Sequence, residues 1–248
     1  MAYASTMVQD GYGKGVLLTT TMGRPIKVEG NPSHPDSLGA SDVFMQASLL
    51  EMYDPDRARQ VLNGGQPSQW ADFAGAAGGL AGGNLRILTG HITSPSLIDQ
   101  INALLMNNAN ARWYQYSQVS RSSEYTAANQ AFGEPLNAVY NFNAADVVLS
   151  LDCDFLLTEP GHIRYGHDFA IRHQPISPNG TRNRLYVVES AMTITGGNAD
   201  HRLAVKPSQV ETFARAIASR LGVNVAAPEG DIPGQNWLDA LNKALARS

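Results

Sequence analysis

Apolar positions along this chain recur with two different periods. In the first sixty residues the period is two and the runs are short. Residues 15–21 form a β-rich run, 22–24 carry a turn, and 25–29 alternate Ile26 and Val28 with polar neighbours. That pattern predicts a hairpin. Residues 30–36, rich in Pro, Asn and Ser, predict an ordered loop, and as part of a scaffold the 30–42 loop, stiffened by Pro32 and Pro35, would be ordered and partner-facing. Ser41 or Asp42 is placed to cap a helix running to Tyr53, with Val43, Ala47 and Leu50 on one face.

From about residue 61 the pattern becomes strand and helix in alternation. Strands are predicted at 85–89, 112–116, 146–151 and 184–189, each with little polar interruption. The clearest helix follows the first of them. Ser94 caps it, Pro95 opens its first turn, and Leu97, Ile98, Ile101, Leu104 and Leu105 fall at helical spacing. Helices near 122–132, 161–172, 208–221 and 235–246 fill the remaining gaps. The reading is α/β: a Rossmann-like, mostly parallel sheet over 61–248 with helices on both faces, preceded by a small β-rich segment over 1–60. All four strands are expected in one parallel sheet, with right-handed crossovers. Residues 74–83, low in complexity, read as a frayed helix end and connector.

Composition narrows the functions open to this fold. Of 248 residues 43% are hydrophobic, enough for a real core, and only 16% are charged, against roughly 25% in typical globular chains. Low charge suits a surface that another chain or domain covers, because each unpaired buried charge is costly. Net charge is −4 and the cations are dispersed, which argues against nucleic-acid binding. A single cysteine, Cys153, excludes an intrachain disulfide, a Cys-rich zinc site and an iron–sulfur cluster held by this chain alone. No apolar run reaches the 18 or more residues of a membrane helix, and residues 1–20 lack an export-signal pattern.

Spacing singles out few candidates for chemistry. Gly11, Gly13 and Gly15 lie beside Lys14, but a phosphate cradle needs a strand before it and a helix after it. Here a strand follows and no ordered element is expected before, so the run reads as a mobile turn. Asp152, Cys153 and Asp154 sit just past a strand end, where a doubly wound sheet binds ligands, but the favoured reading is of strand terminators around a small buried thiol. His162, His167 and His173, with Asp168, are spaced five and six apart, which scatters them around a helix instead of on one ligating face. Asn179-Gly180-Thr181 matches a glycosylation sequon and also reads as a turn. No activated nucleophile or base stands out, which weakens the reading as an unrelated small-molecule α/β enzyme.

Longer blocks carry a family resemblance. Gly23-Arg24-Pro25-Ile26-Lys27-Val28-Glu29-Gly30-Asn31-Pro32-Ser33-His34-Pro35, then Gly39, then Tyr53-Asp54-Pro55-Asp56-Arg57, resembles the N-terminal signature of the molybdopterin oxidoreductase family. Residues 145–149, 185–189 and 199–207 resemble its later strands and a following loop, in the same order. Leu38-Gly39-Ala40-Ser41-Asp42, Phe132-Gly133-Glu134-Pro135-Leu136 and Gly161-His162-Ile163-Arg164-Tyr165 are most similar to a degenerate branch, the large iron–sulfur subunit of alternative complex III.

That resemblance implies a portion of a longer subunit in a membrane-associated quinol oxidoreductase, at the periplasmic face in bacteria. It would be partnered by other domains and subunits and would not itself insert in the membrane. The family's cofactors are molybdopterin guanine dinucleotide and iron–sulfur clusters, and the departures from its pattern imply that neither is held here. Asp42 stands where catalytic relatives place a cluster cysteine, and Phe44 where a lysine often follows. Glu189-Ser190-Ala191 replaces Asp-Pro-Arg, and Pro207-Ser208-Gln209-Val210 replaces Pro-Gly-Thr-Asp. Asp42, Asp152, Glu189, Ser190, Ala191 and Ser208 therefore mark degenerate cofactor positions in a scaffold without catalytic residues. The alternative is a molybdopterin-dinucleotide-binding fragment of an active enzyme. The scaffold reading expects a chain free of iron and molybdenum. It also expects strand-end loops crowded by their own side chains, with Arg182 and Arg184 at the opposite end of their strand.

Overall fold

A computed structural model describes residues 1–79, 83–174, 182–226, 228 and 230–246. The chain divides into two compact units, Met1–Ala138 and Val139–Ser248. Both mix helices with sheets, and parallel strands occur in each.

The first unit opens with an antiparallel three-stranded sheet in the order β1 (Ala2–Gln9), β2 (Tyr12–Thr21), β3 (Arg24–Gly30). A strand therefore does precede the glycine run, against the expectation of a mobile turn. Asp10 and Gly11 take φ values of 49° and 86°, the paired left-handed conformations of a two-residue hairpin turn that Asp-Gly favours. The second hairpin and its turn at Met22 and Gly23 are as expected.

Helix α1 (Val43–Tyr53) follows, and Asp42 caps it by accepting the Met45 amide at 2.7 Å. The expected inward face is displaced: Met45 is fully buried, while Val43 and Leu50 are exposed. The helix carries apolar residues on every side, so periodicity could not choose the face. A short hairpin, β4 (Val61–Asn63) and β5 (Gln66–Ser68), leads into α2 (Trp70–Gly78), which ends within the low-complexity run. Part of that run, 80–82, lies outside the described residues. Strands β6 (Arg86–Thr89) and β7 (Arg112–Gln115) pair in parallel around α3 (Pro95–Met106), and α4 (Ser122–Phe132) completes the unit. Ser94 caps α3 as expected, and Ile101 is its buried residue.

Loop 31–42 is held closely to β2. Asn31 N donates to Gly15 O, Gly39 N and the Ser37 hydroxyl donate to Asn31 O, and Ser37 is fully buried. Lys14, 4% exposed, lies in the adjoining strand. Burial pushes its ammonium below the ordinary lysine value, against the opposing pull of Asp42, Asp36 and Asp10.

The second unit begins with a single 3₁₀ turn, Phe142–Ala144. It contains β8 (Val147–Leu151), α5 (His162–Arg172), β9 (Arg184–Glu189), α6 (Ile194–Gly197), β10 (His201–Ala204), α7 (Pro207–Arg220) and α8 (Gln235–Leu245). Its sheet runs β10-β9-β8, all parallel, with Val147 opposite Arg184 and His201 opposite Tyr186. The central strand is hydrophobic over 185–188 because both its faces are covered. Tyr186 and Val188 meet Phe213, Ile217, Leu238 and Leu241 of α7 and α8. Leu185 and Val187 meet Phe142, Phe155, Tyr165 and Phe169 on the other face. This is the three-layer arrangement expected of the α/β portion.

Two expectations need correcting. The four predicted strands do not join in one ladder: β6 and β7 form one parallel pair, and β8 and β9 belong to another sheet. Each strand was legible locally, but pairing partners are a long-range choice that strand periodicity does not contain. Residues 201–204, read as loop, form β10. Parallel pairing with β9 supplies main-chain bonds to a stretch with only one strongly apolar residue, Leu203.

Candidate functional site

Parallel strands converge their ligand-binding loops at their carboxyl ends. In the second unit those ends are Leu151, Glu189 and Ala204, and Asp152, Glu189, Ser190 and Ala191, the positions that the resemblance marks as departures, gather there. Ser208 lies in the first turn of α7, directly after β10, and is exposed. Asp42, the remaining member of that set, belongs to the first unit and serves as a helix cap.

The strand-end loops of β8 and β9 are laced together by carboxylates. Asp152 Oδ1 accepts the Ser190 amide at 3.0 Å and the Ser190 hydroxyl at 3.2 Å. These bonds hold Asp152 at φ 50°, a left-handed conformation that an aspartate tolerates. Asp154 Oδ1 accepts the Thr195 amide at 3.0 Å and its hydroxyl at 2.7 Å. Glu189, 1% exposed, accepts the Thr193 amide at 3.3 Å and the Thr193 hydroxyl at 2.7 Å. Arg202 of β10 donates its Nε to the same carboxylate. Gly196 packs against Glu189 so closely that a Cβ there would sit 1.8 Å from Oε1.

Arg202 is the residue sequence reasoning missed. Thirteen positions separate it from Glu189, and only the β9–β10 pairing brings the two together. Arg184 opens β9, and Arg182 pairs with Asp200, which also accepts the Leu185 amide at the start of that strand, at the opposite end as expected. Cys153 directs Sγ toward Glu159 Oε1 at 3.7 Å.

The three histidines have separate partners. His162 Nδ1 meets the Glu159 carbonyl, His167 meets Asp168, and His173 meets Asn183. Asp168 is 3% exposed. Burial alone would raise its pKa, but hydrogen bonds from His167, Arg164 and Asn143 outweigh it and hold the carboxyl below its ordinary 3.8. The lowered value makes Asp168 stabilising at all pH above 3.8, and that contribution is lost as pH falls below it. Unfolding midpoints measured down to pH 2 should therefore fall more steeply for the unaltered chain than for Asp168→Asn. At neutral pH Asp168→Asn should cost roughly 1.5–3 kcal/mol, the range for hydrogen bonds to a charged group.

A second polar cluster lies in the first unit and was not anticipated. The Tyr12 and Tyr125 hydroxyls are 3.0 Å apart, both reach Asn137 Oδ1, and Tyr125 approaches His91 Nε2 at 3.3 Å. Burial and the Tyr125 hydroxyl push the Tyr12 phenol well above its ordinary range, so it stays protonated. With Thr93 bonded to the Gly11 carbonyl, this cluster fastens the first hairpin to the segment after β6.

No known protein-family model matches the chain. A protein of Nitratidesulfovibrio vulgaris, described as "Menaquinone reductase, molybdopterin-binding-like subunit", is 22% identical over 234 residues. The match covers 88% of this chain and 33% of that protein, so the chain spans about a third of its relative's length. Among the described residues no helix is long and apolar enough to cross a membrane. This chain is thus distantly similar to a molybdopterin-binding-like subunit of a quinone reductase.

Proposed function

We propose that this chain is a non-catalytic, molybdopterin-oxidoreductase-like portion of a subunit in a membrane-associated quinol or menaquinone oxidoreductase, where it acts as scaffold. The observation that carries this reading is the filled carboxyl end of the β8–β10 sheet. A molybdopterin dinucleotide needs free donors and open main chain at such loops. Here Ser190, Thr193 and Thr195 give their amides and hydroxyls to Asp152, Glu189 and Asp154, and Arg202 is drawn onto Glu189. These residues do not fit that cofactor. Nor does one cysteine fit an iron–sulfur cluster.

The relative's description supports a quinone-linked complex. The finer assignment, to the alternative complex III branch at the periplasmic face, rests on the blocks at 38–42, 132–136 and 161–165. In that setting the partners are neighbouring domains and subunits. A low charged fraction favours such a role, since an uncharged surface is cheaper to desolvate.

The test is a cofactor titration on the purified chain with metal analysis alongside. Calorimetry with molybdopterin guanine dinucleotide and with GDP should show no saturable heat, and iron and molybdenum should be far below one equivalent. Micromolar binding of either nucleotide would replace this reading with a dinucleotide-binding fragment of an active molybdenum enzyme.

A further inference from the structure

We propose that the free edge of β1 docks on β1 of a second copy of this chain, the two strands running antiparallel about a two-fold axis at Ser5. This edge lies wholly in the first unit, apart from the strand ends that carry the scaffold reading.

β1 is a terminal strand of its sheet, with β2 on one side. Gln9 faces Tyr12 across the two-residue turn, and Met1 O accepts the Thr20 amide at 2.7 Å, so the odd-numbered residues of β1 bond to β2. Ala2, Ala4, Thr6 and Val8 therefore turn their N–H and C=O groups to the free edge. Such a row is recognised by the main chain of another strand.

Terminal strands are ordinarily guarded by charge, proline or a bulge. β3, on the other side of the sheet, carries Arg24, Pro25, Lys27 and Glu29, and its register with β2 shifts at Thr19 and Thr20. β1 has none of these devices. Its residues include no charge and no proline, and its register is unbroken from Ala2 to Gln9. Tyr3 is 52% exposed and Val8 68%.

A second copy fits this edge in hydrogen bonds, in side chains and in charge. Pairing about Ser5 sets Ala2 against Val8 and Ala4 against Thr6 of the copy, so every free-edge N–H and C=O gains a partner. Tyr3 then faces Met7 of the copy, Ser5 faces itself, and no like charges meet. Tyr3, Ser5 and Met7 share a face with the buried Val16 and Val28, so Met7 of the copy extends that row beyond the exposed Tyr3. The terminal strand β8 lacks this fit, because self-pairing about Leu149 would oppose Asp146 and Asp152. Two-fold pairing closes on itself and stops at the dimer.

Sedimentation equilibrium of the purified chain, from low micromolar to near-millimolar concentration, should show a reversible dimer. Thr6→Pro removes an N–H that serves only the free edge and leaves the bonds to β2 in place. It should raise the dissociation constant roughly tenfold or more, with the thermal midpoint of the dilute chain unchanged. Ser5→Lys and Ser5→Glu each bring like charges together at the axis and should be monomeric alone, whereas an equal mixture of the two should dimerise. A chain that stays monomeric throughout overturns the proposal and leaves the edge to a strand of another polypeptide. A dimer that survives Thr6→Pro or either charge variant also overturns it. If Thr6→Pro does not fold, the Ser5 variants decide: association restored in the mixture supports the pairing, and a mixture that stays monomeric refutes it.

Discussion

Glu189→Ala is expected to destabilise the second unit by about 3 kcal/mol or more, the low end of the range for breaking a buried ion pair. The carboxylate is 1% exposed and receives Arg202 Nε together with the Thr193 amide and hydroxyl. Truncation strands all three donors and opens a void against Gly196. The Arg202 side chain retains 27% accessibility and can recover some hydration, which places the cost at the lower end. A double variant, Glu189→Met with Arg202→Met, should regain much of the loss, since neither charge is then buried alone. Urea unfolding read by fluorescence suits the measurement, because Trp237 packs on Tyr186 and Phe213 within the same unit. A loss below about 1 kcal/mol, the scale of an exposed pair, would show that Glu189 is solvated in solution.

The elements of this fold were legible where local chemistry decided them. Ser94 and Pro95 announced α3, and the hydrophobic run at 185–188 announced a strand covered on both faces. Trp237, Leu238 and Leu241 announced the packing stripe of α8. What was not legible depended on partners distant in sequence. Strand β10 exists because β9 supplies its hydrogen bonds, and the separation of β6–β7 from β8–β9 is a pairing choice. The hairpin turn at Asp10–Gly11 carries the local Asp-Gly signal, which lies at the head of the Gly11, Gly13, Gly15 run and is masked by that spacing.

The candidate site shows the same division. Asp152, Glu189 and Ser190 were placed at the strand ends by the position of their strands alone. The contacts of those acids were not legible, because Thr193, Thr195 and Arg202 join them only through folding. The Tyr12, Tyr125, His91 and Asn137 cluster spans 125 positions and carries no local signature.

Gly30→Ala should open the 31–42 loop. Gly30 is buried at the end of β3, and a Cβ built on it would lie 1.8 Å from the Ala40 carbonyl oxygen. That oxygen belongs to main chain, so no side-chain rotation relieves the overlap. Either β3 or the loop must shift, and the loop is held by fewer bonds. Lifting it strains the Gly39 amide and Ser37 hydroxyl bonds to Asn31 and uncovers Ser37 and Lys14. Overpacking of this kind costs roughly 1–3 kcal/mol, and the bonds at risk add about 1 kcal/mol each. Since 1.4 kcal/mol is a factor of ten, amide exchange at Asn31, Gly39 and Ala40 should accelerate tenfold to a hundredfold. Amides of β9 belong to the other unit and should keep their protection. If exchange at residues 31–40 is unchanged, the loop is not clamped as described. The same variant also tests the loop's proposed role: in an assembled complex a partner-facing loop gains protection, and Gly30→Ala should weaken that assembly while leaving β9 intact.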